Sequence, residues 1–187
     1  MKEDLHILAN GSDEEREEAS HRIAVIGAES ISLLKDLLKG DEDVRWWVMR
    51  TCSMIDHHNA VQLLTEGLDD ADEDVAVCAA MALGEQGKAE TVEVLLQHLL
   101  SFSSYGKRHV ADALSKIGEP SVDGLIALLQ DNCPDVRTQA ARALSRIKAE
   151  SSIPALIAAL DDAEAAVSHY AWEALQQMGV GTVFFNP

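Results

Sequence analysis

Aromatic side chains are scarce in this chain: three Trp, three Phe and two Tyr among 187 residues. Proline is scarce too, at four, and no alternating run of β-branched residues is sustained. A β-sandwich or barrel draws on such residues, so these absences argue against one. Positive charge is in short supply, with 15 Lys and Arg against 32 Asp and Glu for a formal charge of −17. That balance repels phosphate backbones and anionic lipid, so neither nucleic acid nor membrane is expected as a partner. No stretch approaches 18 consecutive apolar residues. The opening Met1-Lys2-Glu3-Asp4 also lacks the basic-then-apolar layout of a secretory signal, so a cytoplasmic location is expected. Cysteines number three, Cys52, Cys78 and Cys133, with no C-x-x-C and no paired spacing. Disulfides are not expected, and isolated thiols fit a reducing compartment.

What is present is apolar mass, 47% of residues, carried mostly by Ala and Leu, which favour helix. It recurs on a ruler of about 31 residues. A large apolar residue stands at Ile23, Cys52, Leu83, Leu114, Leu144 and Leu175. Eight residues ahead of each, give or take none, stand Glu15, Val44, Val75, Gly106, Val136 and Val167. Between these copies lies a second motif: Ile31-x-x-Leu34, Val61-x-x-Leu64, Val92-x-x-Leu95, Val122-x-x-Leu125 and Ile153-x-x-Leu156. A further leucine follows four residues later each time, at 38, 68, 99, 129 and 160. Spacings of three, four and seven place these side chains on one helical stripe.

Each unit therefore reads as helix, acidic turn, helix, and a turn containing Gly or polar residues. In the last copy the first helix is expected over 151–161 and the second over 164–178. Acids before the second helix (Asp41, Glu42 and Asp43; Asp161 and Asp162) suit its positive dipole end and cap its free N–H groups. Gly27, Gly87, Gly118 and Gly179 fall where second helices end, as a left-handed cap requires. The expectation is a right-handed, all-α solenoid of about six antiparallel helix pairs in a single domain. Its units are approximately 1–27, 28–57, 58–87, 88–118, 119–148 and 149–179. The tail 180–187 is expected to fold over the last repeat as an apolar lid.

The cores D-V-R-x-x-A-A-x-A-L-x-x-I at 135–147 and, degraded, at 43–55, 74–86 and 165–178 resemble short HEAT-like repeats, the type found in bilin lyases. The resemblance covers nearly the whole chain. It implies the fold and leaves the function open, because lyases, hydroxylases and plain scaffolds share this repeat. It also implies that the second helices line a concave groove.

Counting along each second helix from the Val136-type position gives the residues expected on that wall. They include Trp46, Trp47, Arg50 and Met54 in the second unit and Val77, Cys78 and Met81 in the third. The fourth contributes Arg108 and His109, the fifth Arg142 and Arg146, the sixth His169 and Tyr170. The full set carries five cations and five carboxylates, so the −17 resides entirely elsewhere. Trp and Arg are enriched at binding hot spots, and Met adapts to a partner. Adjacent helical residues diverge by about 100°, so at least one of the two neighbouring indoles is expected on the wall. In the fourth unit Gly106 stands where valine would pack, and Phe102 or Tyr105 is expected to fill the space.

Enzymatic readings find less support. The seven histidines show no H-E-x-x-H and no paired Cys/His spacing, and no metal or other cofactor is expected. Related di-iron hydroxylase repeats use His-Glu pairs, whereas here Val110 follows His109 and Tyr170 follows His169. Cys78 and His109 share a register in neighbouring units, a weak candidate for a thiol–imidazole pair. The leading expectation is a non-catalytic scaffold binding a peptide or protein in the groove. One alternative, implied by the resemblance, is a bilin lyase or isomerase subunit whose arginines pair with tetrapyrrole propionates. Another is an acidic inhibitor or immunity-type protein for a basic partner. A small anionic ligand is compatible with the groove.

Overall fold

The computed structural model describes residues 1–180, and the lid expected over 180–187 lies, apart from its first residue, outside them. Four of the second helices begin where a short polar side chain takes up a free backbone N–H, and the fifth begins instead at Pro134, with no side-chain cap. Ser12 and Glu15 form a reciprocal capping box, the Ser12 N–H donating to the Glu15 carboxylate at 2.8 Å. Asp41 accepts from the Val44 N–H at 3.0 Å, Asp72 from that of Val75 at 3.2 Å, and Ser103 from that of Gly106 at 3.3 Å. Five of these helices are followed by a residue with positive φ. Four are the anticipated glycines at 27, 87, 118 and 179; the fifth is Lys148, at 59°.

The helices between these signals form six pairs. They are α1 Lys2–Asn10 with α2 Asp13–Ile26, α3 Ile31–Leu37 with α4 Glu42–Ser53, and α5 His58–Gly67 with α6 Glu73–Gln86. There follow α7 Val92–Ser101 with α8 Ser104–Ile117, α9 Val122–Leu128 with α10 Pro134–Ile147, and α11 Ile153–Ala159 with α12 Ala165–Gln177. Among the described residues there is no strand. The first helix of the last pair starts later than the expected 151, because Glu150–Ser152 forms a single 3₁₀ turn ahead of it. Similar turns precede α3, α7 and α9, and all four end in a buried hydroxyl: Ser30, Thr91, Ser121 and Ser152. Three of these donate back to a carbonyl three residues earlier, at 2.7, 2.8 and 2.6 Å for Ser30, Thr91 and Ser152.

The six pairs fall into two compact units, Met1–Gln86 and Gly87–Pro187, three pairs in each. In the first, α4 packs between α2 and α6; in the second, α10 packs between α8 and α12. The recurring apolar position is sealed throughout, from Ile23 and Cys52 to Leu144 and Leu175. Alanines 79, 82, 111, 113, 140 and 143 are buried as well, and their small side chains let the second helices approach. Tyr105 is exposed and Phe102 half-buried against His98, so Tyr105 does not fill the space at Gly106.

The arginine of the D-V-R motif has a structural task. Arg45 makes a two-pronged bond to Asp70 at 2.8 and 2.9 Å, and Arg137 repeats it with Asp162 at 2.8 and 2.9 Å. In both cases the aspartate lies 25 residues on, in the acidic turn of the next pair, and also accepts the N–H two residues further along. Successive pairs are thereby pinned at their turns.

Candidate functional site

In the first unit, α4 is flanked on both sides and buries a wide arc. Trp47, Val48, Met49, Thr51 and Cys52 are all interior. Trp47 is only 8% exposed and Val77 only 3%, so neither offers area to a partner, contrary to the expectation for both. Trp46 is half-buried, its ring edge-on to Trp47 with centroids 5.1 Å apart. Met54 is half-buried and Met81 exposed. Arg50 is not a free cation: its guanidinium bonds Glu17 of α2 at 2.7 Å. Cys78 is largely enclosed, with its Sγ 3.9 Å from the Trp46 carbonyl oxygen. Burial pushes its thiol up to about 12, which disfavours the thiolate that a Cys78–His109 pair would use.

The second unit gathers cations. Arg142 of α10 is 7% exposed and held by three groups: Asp112 of α8 at 2.7 Å, Gln139 at 3.2 Å and the Arg108 carbonyl at 3.4 Å. The same Asp112 oxygen also accepts from Arg146, one turn along α10. Beside them opens a cavity of about 460 Å³, lined by Arg108, Arg142, Arg146, Lys148, Tyr170 and Glu173, with Ser145 and Gln177 completing the wall. Three of the expected arginines and Tyr170 therefore meet in one place. His109 stacks edge-on with Tyr105 at 4.7 Å and is not among the lining residues.

Lys148 lies outside the register counted from the Val136-type positions. It occupies the positive-φ position after α10 that glycine holds after four other second helices, a conformation costing a residue with Cβ about 1–2 kcal/mol. Glycine is missing after α4 as well as after α10, so its absence alone does not single out Lys148. Trp172, 45% exposed on α12, likewise lies off the counted register.

The family described as HEAT repeats matches residues 64–132 and 122–182. This is a HEAT-repeat chain. Its solved structural neighbours have the same fold at low identity. A YibA protein of Escherichia coli superposes with a TM-score of 0.62 at 19% identity, over 97% of this chain and 72% of that one. The CpcE–CpcF complex of phycocyanin lyase from Nostoc sp. PCC7120 gives 0.55 at 18%, over 94% and 76%. A designed armadillo repeat protein in complex with the peptide (KR)4 gives 0.52 at 21%, over 94% and 98%. None of the curated proteins matches the HEAT-repeat chain in sequence. Among its described residues no helix is long and apolar enough to cross a membrane.

Proposed function

We propose that this HEAT-repeat protein is a non-catalytic interaction module that takes a peptide or protein partner on the outward sides of its second helices. The observation carrying this reading is the division of labour between the units. The first presents Trp46 with Met54 and Met81, and the second presents Arg108 and Arg146. Trp and Arg are both enriched at binding hot spots, and each unit offers one of them, here within a chain of charge −17. A related helical-repeat fold holds the (KR)4 peptide in the designed armadillo protein.

Selection from a displayed random-peptide library tests it. The wild-type protein should enrich sequences combining acidic and apolar residues, and the double variant Trp46→Ala, Met81→Ala should lose them while keeping its circular dichroism. Enrichment of the same peptides by both proteins would refute the site.

A second reading is favoured by charge. Residues 1–86 carry seven Lys and Arg against 20 Asp and Glu, a net −13, so the first unit suits a strongly basic partner. Affinity for such a partner should fall steeply with salt, and salt-insensitive binding counts against it. The lyase-type alternative rests on the fold shared with the CpcE–CpcF complex. Bilin absorbance that does not change on adding the protein removes it.

A further inference from the structure

We propose that the cavity of the second unit is a binding site for a phosphate monoester, a dianionic oxyanion held chiefly by Arg108, Arg146 and Lys148. The inference shares Arg108 and Arg146 with the peptide reading but needs no peptide and nothing from the first unit.

Charge is the first argument. Residues 87–187 carry eight Lys and Arg against twelve Asp and Glu, a net −4. Four of those eight cations nevertheless line one cavity. Two carboxylates oppose them: Glu173 in the wall, and Asp112, which bonds Arg142 and Arg146. The surplus of two positive charges matches a phosphomonoester, which carries between one and two negative charges near neutrality. A simple carboxylate would leave half of that surplus uncompensated.

Unused donors are the second. Arg142 is buried and fixed by Asp112, Gln139 and the Arg108 carbonyl, so this one cation is in place before any ligand arrives. Arg108, Arg146 and Lys148 reach the site from exposed positions. Arg146 uses one terminal nitrogen on Asp112. Its remaining N–H groups, and the side chains of Arg108 and Lys148, have no partner among the described residues. Guanidinium forks pair two donors with two oxygens of one phosphate, and the three acceptor oxygens of a monoester match this supply. Tyr170 adds a neutral donor, while the Gln177 amide already donates to Glu173 at 3.1 Å.

Strain and size complete the case. Lys148 holds a left-handed backbone where sister helices use glycine, and its side chain is spent on the rim of this cavity. Strain of this kind collects at functional sites. At about 460 Å³ the cavity exceeds a bare phosphate and lies in the range of small-ligand pockets, which leaves room for the esterified group.

Isothermal titration of the full chain with phenyl phosphate, with acetate as the monoanionic control, tests the assignment. Saturable binding at one site, about tenfold or more tighter than acetate, is expected. Arg146→Gln should weaken it about tenfold. Lys148→Gly should weaken it while raising the thermal midpoint, a combination that damage to the fold does not produce. Trp46→Ala should leave it unchanged, so failure of the peptide reading and failure of this one are told apart. A serine-phosphorylated peptide and its unmodified form make the final arm. Tighter binding of the phosphopeptide than of phenyl phosphate identifies a phosphorylated side chain as the source. Equal binding identifies a small phosphorylated molecule. Absence of saturable phenyl phosphate binding, equal response to acetate, or indifference to Arg146→Gln overturns the proposal.

Discussion

The three cysteines illustrate how much a single side chain owes to its surroundings. Cys52 is sealed between helices of the first unit, and burial pushes its thiol up to about 12. Cys78 stands at about 12 for the same reason, while Cys133, ahead of α10, is exposed. Because thiolate is the reactive species, brief iodoacetamide treatment of the native protein at pH 8 should label Cys133. Mass spectrometry should find one adduct in the native state and three after denaturation; early labelling of Cys78 would contradict its enclosure. Trp46 and Trp47 teach a related lesson. Periodicity separates their directions by about 100°, but a helix packed on both flanks buries an arc wider than that, and Trp47 is buried while Trp46 stays half-buried.

Between elements, the turn aspartates act as fasteners. Burial opposes ionisation of Asp70, yet the Arg45 fork and the Asp72 N–H outweigh it, and its carboxyl lies below the ordinary value. For Asp162 the Arg137 fork is the leading cause of the same lowering. A carboxylate with a depressed folded pKa contributes stability above its unfolded value and loses that contribution as pH falls through the folded one. Asp70→Asn should therefore flatten the decline in thermal midpoint below about pH 4. At neutral pH, Asp70→Ala should cost about 1–2 kcal/mol in urea denaturation, since a charged hydrogen-bonded pair is opened. Small residues set the other contact between elements. A Cβ on Gly67 at the end of α5 would strike the buried Met49 thioether, with Ala79 of α6 3.2 Å away. Gly67→Ala should destabilise by about 1–3 kcal/mol in the same assay, through overpacking.

At the scale of the molecule, charge is distributed unevenly, −13 over residues 1–86 and −4 over residues 87–187. Like charges within the first unit repel over distances that salt shortens, with a Debye length of about 30 Å at 0.01 M and about 8 Å at 0.15 M. Raising NaCl across that range should raise the thermal midpoint. A midpoint independent of salt would show that the paired acids, such as Glu17 with Arg50 and Glu66 with Lys35, already neutralise the repulsion.

Periodicity by itself determined the helix pairs and the apolar stripe that recurs within each, because burial of one stripe per helix must recur in sequence as it recurs in space. Glycine at helix ends and acids at helix starts were equally legible, being local demands of backbone geometry. What only the tertiary structure decided was the fate of polar and aromatic side chains near the edges of each stripe. Arg50 meets Glu17 from 33 positions away, and Arg142 meets Asp112 from 30. Lys148 joins Arg108 and Tyr170 at one cavity because neighbouring pairs stack in register. A linear pattern records which face a residue is on. Whether a charge on that face is neutralised or left to receive a ligand depends on side chains from the next helix, and that is settled by packing.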